Sequence, residues 1–161
     1  LTVAGMGALI MRRYMYEYGV ELADFAGFSV NAHANGADNP LAMFRNRLKP
    51  ERFTMAPQVA TPVSLFDIAP TGDGAAAVIV TSKERAMDMV PQPVEIIGSA
   101  VATDGFALHD RRDLLWLKAA ELSTQKAMAQ AGVSHDDIDL FELHDSFTIM
   151  AALCSKPAGA S

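Results

Sequence analysis

Near the end of the chain, His144-Asp145-Ser146 carries the three residue types of a serine-hydrolase relay. Consecutive side chains point in different directions, so three in a row cannot line up as nucleophile, base and orienter, and that reading is rejected. Taken alone, His144 is a polar strand end, and Asp145 or Ser146 caps the helix that follows. Cys154 is the one thiol among 161 residues. On a regular helix it lies ~10–15 Å along the axis from His144. A nucleophile and its base must approach to ~3 Å, so a buried or incidental thiol is expected. The four histidines, His33, His109, His135 and His144, show no i, i+4 pairing, and no metal site is expected. Gly72-Asp73-Gly74-Ala75-Ala76-Ala77 loosely fits a dinucleotide fingerprint. That fingerprint closes a strand and opens a helix, whereas here it precedes an apolar β-branched run, so it reads as a turn.

The elements that must position these groups follow from periodicity. Met6, Leu9, Ile10, Met11, Tyr14, Met15 and Tyr18 recur at helical spacing, and Gly19 is placed to cap that helix. A second helix is expected from Glu21 to Ala32, followed by an Asn- and Gly-rich stretch in which Asn39, before Pro40, is extended. Residues 41–72 hold four of the eight prolines and predict a meander with short helices. Three strands are expected, at Ala75–Thr81, Val94–Val101 and Ile138–Leu143. Between and after them come helices at Lys83–Met89 behind Ser82, at Leu114–Ala131 behind Asp113 and ahead of Gly132, and at Ser146–Leu153. Ser134 with Asp137 forms a capping pattern. The second half is thus β-α-β-α-β-α, an α/β pattern.

Composition narrows the function. Half the residues are apolar, enough for one core of ordinary size, and the net charge is −6 with Lys and Arg scattered. Arg111-Arg112 is flanked by Asp110 and Asp113. No nucleic-acid partner is expected. A single cysteine excludes an internal disulfide framework and fits a reducing, cytoplasmic setting. No apolar run reaches the ~18–20 residues of a membrane span, and no membrane partner is expected. The first residues, Leu1 to Met6, contain neither an initiator methionine nor a basic leader, so the chain is expected to be an internal fragment.

Several segments, in order, resemble the thiolase superfamily, and within it the sterol-carrier-protein-type thiolases (acetyl-CoA acetyltransferase-like). They are Tyr14–Gly19 with Phe25; Asn31-Ala-His33 with Asn39-Pro40-Leu-Ala-Met-Phe44; Pro62–Asp67; Pro70-Thr-Gly-Asp73-Gly74-Ala-Ala-Ala77 running into Thr81-Ser82; Ala131-Gly132; Asp136-Asp137-Ile138-Asp139; and Glu142-Leu-His144-Asp145-Ser-Phe147. The resemblance implies a layered αβαβα thiolase-like fold, of which this chain would supply only part. Residues 1–72 would be a loop-domain segment, 73–103 the last strands of a first core domain, and 104–161 the truncated start of a second. It implies acyl transfer on acyl-CoA or 3-ketoacyl-CoA thioesters, by carbon–carbon bond formation or thiolytic cleavage. The CoA thioester would be the substrate, and no separate cofactor is implied.

By the same correspondence His144 would be an oxyanion-hole donor, a type of group that can supply ~3 kcal/mol of transition-state stabilisation. Phe147 and His33 would bind substrate, His33 facing the pantetheine channel. The family's nucleophilic cysteine and its Gly-His-Pro segment have no counterpart in these residues, and the tail from Cys154 onward departs from the family's apolar helix. A truncated or frameshifted frame, inactive as a fragment, is therefore expected. Two alternatives stand beside this reading. One is a thiolase-like retro-aldolase acting on CoA-linked steroid side chains with a zinc-ribbon/OB-fold partner. The other is a non-catalytic acyl-CoA- or lipid-binding remnant. The intact protein is expected to be a homo-oligomer.

Overall fold

The computed structural model describes residues 2–156. Residues 157–161, the last part of the divergent tail, lie outside the described residues. Helix α1 (Val3–Tyr18) starts where the Thr2 hydroxyl accepts the Gly5 amide and stops at Gly19, whose φ of 65° only glycine adopts at little cost. A 3-10 turn, Leu22–Phe25, leads into α2 (Ala26–Asp38). The helix expected to end at Ala32 therefore runs on through most of the Asn- and Gly-rich stretch. Its alanines favour the helix, and Asn39 ends it in the extended geometry that Pro40 demands. The meander then holds α3 (Pro50–Thr54) and a two-stranded antiparallel sheet of β1 (Gln58–Ala60) and β2 (Val63–Ser64). A 3-10 turn, Leu65–Asp67, closes it.

Helix α4 (Lys83–Met89) and the capping box of Ser134 with Asp137 form as expected. Helix α5 (Lys118–Ala131) ends at Gly132 with φ 70° but begins four residues later than the sequence suggests. Asp113 accepts the Leu115 amide at 2.8 Å in a local turn instead of capping the helix. Leu115 and Leu117 are then free to bury in the core, and that burial outweighs another turn of helix. Helix α6 (Thr148–Ser155) follows the His144 stretch.

The three expected strands are a correction. Residues 75–81, 94–101 and 138–143 form no strand ladder among the described residues. A strand exists only as a ladder of backbone hydrogen bonds, and apolar β-branched residues cannot form one without a neighbour. Val78 and Ile79 are accordingly 87% and 84% exposed. The described chain has mixed helix and a small sheet, consistent with part of an α/β domain. Its core lies elsewhere, where α1 packs on the β1–β2 hairpin and α6. Met11, Phe53, Val63, Ile149 and Leu153 are fully buried there. Each such side chain contributes about 1.5–3 kcal/mol through burial.

Candidate functional site

The His144 stretch is held by the segment that follows the hairpin. Ile68 bridges Phe147, and the Ala69 amide donates to the Ser146 carbonyl at 3.0 Å. This leaves His144 exposed on a short extended run just before α6. In an extended run, residues two apart share a side. The Ser146 Oγ therefore meets the His144 Nε2 at 2.7 Å. Two members of the rejected relay thus do meet, and Asp145, between them, takes no part in the contact. When Ser146 donates to Nε2, the imidazole proton sits on Nδ1, and that nitrogen is left to donate to an incoming oxygen.

A groove of about 780 Å³ lies beside this run. One wall is α2 with His33, another is Phe44 and Phe66, and a third is the run from Leu140 to Leu143 with Asp145. His33 is half-buried. Its Nδ1 donates to the Asn46 carbonyl at 2.9 Å, which leaves Nε2 as the ring's acceptor in the neutral form. The ring also meets the Phe66 ring edge-on at 5.9 Å. The fold thus brings His33, Leu143 and Asp145 to one groove from positions far apart in sequence, while His144 itself is not among the residues that line it. Phe147 does not line it. Its ring is 7% exposed and packs against α1, so close to Gly7 that a Cβ there would meet the ring at 3.0 Å. Phe147 anchors the stretch from below. His109 and His135 are exposed and far from the groove's lining.

Cys154, half-buried on α6, is not among the residues that line the groove. Burial pushes its pKa up, the Asp145 carboxylate adds to this, and the His144 backbone offsets only part of it.

Sequence reasoning missed the polar groups beneath the groove. Asp67 is 2% exposed and accepts from the Ser64 amide and the Thr148 hydroxyl. The signal available was Ser64 followed three residues later by an acid, the capping-box spacing seen also at Ser134. A second cleft, about 980 Å³, is lined by Arg13, Arg111, Arg112, Trp116, Lys118 and Glu121 among others. Some of its charges are paired, while Arg111 donates to the Gly105 carbonyl at 3.2 Å. Arg13 pairs with Glu17 at 3.1 Å and Lys118 with Glu121. Lys118 and Trp116 together hold the Glu121 carboxyl below its ordinary pKa.

Comparison with known proteins agrees along the whole chain. Residues 100–160 match the family described as "Thiolase C-terminal domain-like". An acetyl-CoA acetyltransferase of Methanothermobacter thermautotrophicus is 37% identical over 159 residues, covering 99% of this chain and 42% of the relative. A steroid side-chain-cleaving aldolase of Thermomonospora curvata is 33% identical over 153 residues, 91% of this chain and 39% of the relative. Among solved structures, the Ltp2-ChsH2(DUF35) aldolase superposes with a TM-score of 0.92 at 29% identity, covering 99% of this chain and 43% of that one. The chain spans about two fifths of the length of the curated relatives it matches.

Proposed function

We propose, for a chain that is a member of the thiolase superfamily in sequence and in fold, that it forms the acyl-CoA-handling half of a thiolase-like acyltransferase. The observation that carries the reading is the groove between α2, with His33, and the run through Leu143 and Asp145 that flanks His144, in a chain 37% identical to an acetyl-CoA acetyltransferase. The groove takes the acyl-pantetheine arm between Phe44, Phe66 and α2. His144, its Nε2 engaged by Ser146, donates through Nδ1 to the thioester or enolate oxygen as negative charge develops there. Phe147 positions that donor by anchoring the run. No covalent step is assigned within these residues, because burial keeps Cys154 protonated.

A second reading is favoured by the likeness to two aldolases. Under it the same donor stabilises the enolate released by retro-aldol cleavage of a CoA-linked steroid side chain, and a zinc-ribbon/OB-fold protein would be the partner.

Calorimetric titration of the full 161-residue chain with hexanoyl-CoA tests the shared part. Saturable binding, weakened about tenfold by His144→Ala, is expected, the equivalent of roughly 1.4 kcal/mol. Equal affinity in the variant would remove His144 from the site. To separate the readings, the chain is offered acetoacetyl-CoA with free CoA, and in parallel the CoA thioester of 17-hydroxy-3-oxo-4-pregnene-20-carboxylate. Tighter binding of the first supports acyl transfer, and of the second retro-aldol chemistry.

A further inference from the structure

Among the described residues four polar side chains are buried, Ser29, Ser64, Asp67 and Thr148, and all four gather at one place. The Ser29 hydroxyl donates to the Phe66 carbonyl and so ties α2, with its His33, to the turn at Leu65–Asp67. Asp67 takes the Ser64 amide on one oxygen at 2.7 Å and the Thr148 hydroxyl on the other. The Ser64 hydroxyl faces the Asp67 amide in a capping-box arrangement, but at a geometry short of a hydrogen bond, and is buried without a partner. A buried polar group without full pairing costs about 1–3 kcal/mol. Packing alone would be served better by apolar residues here, so the arrangement asks for another reason.

Its position supplies one. Ser29, Asp67 and Thr148 all line the groove, and Thr148 is the first residue of α6. The Thr148 hydroxyl, the Ile68–Phe147 bridge and the Ala69–Ser146 hydrogen bond form one continuous seam. That seam sets where the run from His144 to Ser146 lies relative to His33.

We propose that Asp67 is the positioning residue of this groove: its carboxylate fixes the start of α6, and so places the preceding run, with Leu143 and Asp145, opposite α2. The proposal rests on the acyl-CoA reading of the groove and deepens it. Hydrogen bonds fix distance and direction where apolar contacts permit sliding, and a donor off by ~1 Å loses much of its effect.

Because Asp67→Ala also strips the acceptor from Ser64 and can unfold the chain, the milder pair Thr148→Val and Thr148→Ser carries the test. Valine keeps the shape and loses the hydroxyl, while serine keeps the hydroxyl. Hexanoyl-CoA affinity and backbone hydrogen exchange over residues 66–70 and 144–148 are measured on each full-length chain. The expected result is a roughly tenfold loss of affinity and faster exchange in Thr148→Val, with Thr148→Ser within twofold of wild type on both. Wild-type affinity in Thr148→Val overturns the proposal, as does equal loss in both variants, which would mark a role in stability alone. If the wild-type chain binds no hexanoyl-CoA, the acyl-CoA reading falls and the positioning role falls with it. Exchange that is unchanged in Thr148→Val would show separately that the seam does not hold the run.

Discussion

The Cys154 thiol is a poor nucleophile, because burial and the Asp145 carboxylate both favour its protonated form. Iodoacetamide should therefore alkylate the folded chain at pH 8 several-fold more slowly than free cysteine, and Asp145→Asn should speed the reaction. Equal rates would mean that the thiol is open. The raised pKa also fixes the sign of its effect on stability. Its contribution is fully present below the ordinary thiol pKa and is lost as pH rises through the folded value. The Cys154→Ala chain should lose less stability than wild type over that alkaline window in denaturant melts. At the same scale, a Cβ on Gly7 would press on the Phe147 ring at 3.0–3.4 Å, so the ring would have to give way. Gly7→Ala should therefore disturb the anchor under His144 and weaken hexanoyl-CoA binding without touching the groove itself.

Helices were the elements most legible in the sequence. The ends of α1, α4 and α5 were marked by Gly19, Ser82 and Gly132, residues whose backbone or side-chain chemistry acts within a few positions. The start of α5 was not, because Leu115 and Leu117 leave the helical path to reach a core built from α1 and α6. Strands depend on partners that are distant in sequence, so runs such as 75–81 signal a tendency and nothing about what lies alongside. His144 was legible through its motif, whereas Asp67 was not, since its partner Thr148 lies 81 positions away. One extended segment has a role even without a ladder. Residues 94–101 pass so close to α5 that a Cβ on Gly98 would lie 2.3 Å from the Ala127 carbonyl oxygen, and the Ser99 amide donates to the Gln130 side chain. Gly98→Ala should push that segment off α5 and cost about 1–3 kcal/mol in a chemical melt. An unchanged midpoint would show that the contact is loose.

Over the whole molecule, the core gathers where α1, the hairpin and α6 meet, while α4 and α5 bury no residue. Val78, Ile79, Val94 and Val101 are more than four-fifths exposed, in extended runs whose backbone groups lack a ladder. Such surfaces drive association. The chain alone should elute larger than 17.2 kDa at rising concentration and bind a hydrophobic dye. A monomer with a sharp cooperative melt and no dye binding would contradict this. No described helix is long and apolar enough to cross a membrane. The central claim is that the groove between α2 and the His144 run takes an acyl-CoA. A photoreactive acyl-CoA, crosslinked to the full chain and mapped by mass spectrometry, tests it most directly. The account predicts labels on residues 28–36, 42–44 and 140–145, displaced by unlabelled hexanoyl-CoA. Labels confined to the charged cleft around Arg111 and Trp116, or labelling that hexanoyl-CoA does not displace, would contradict it.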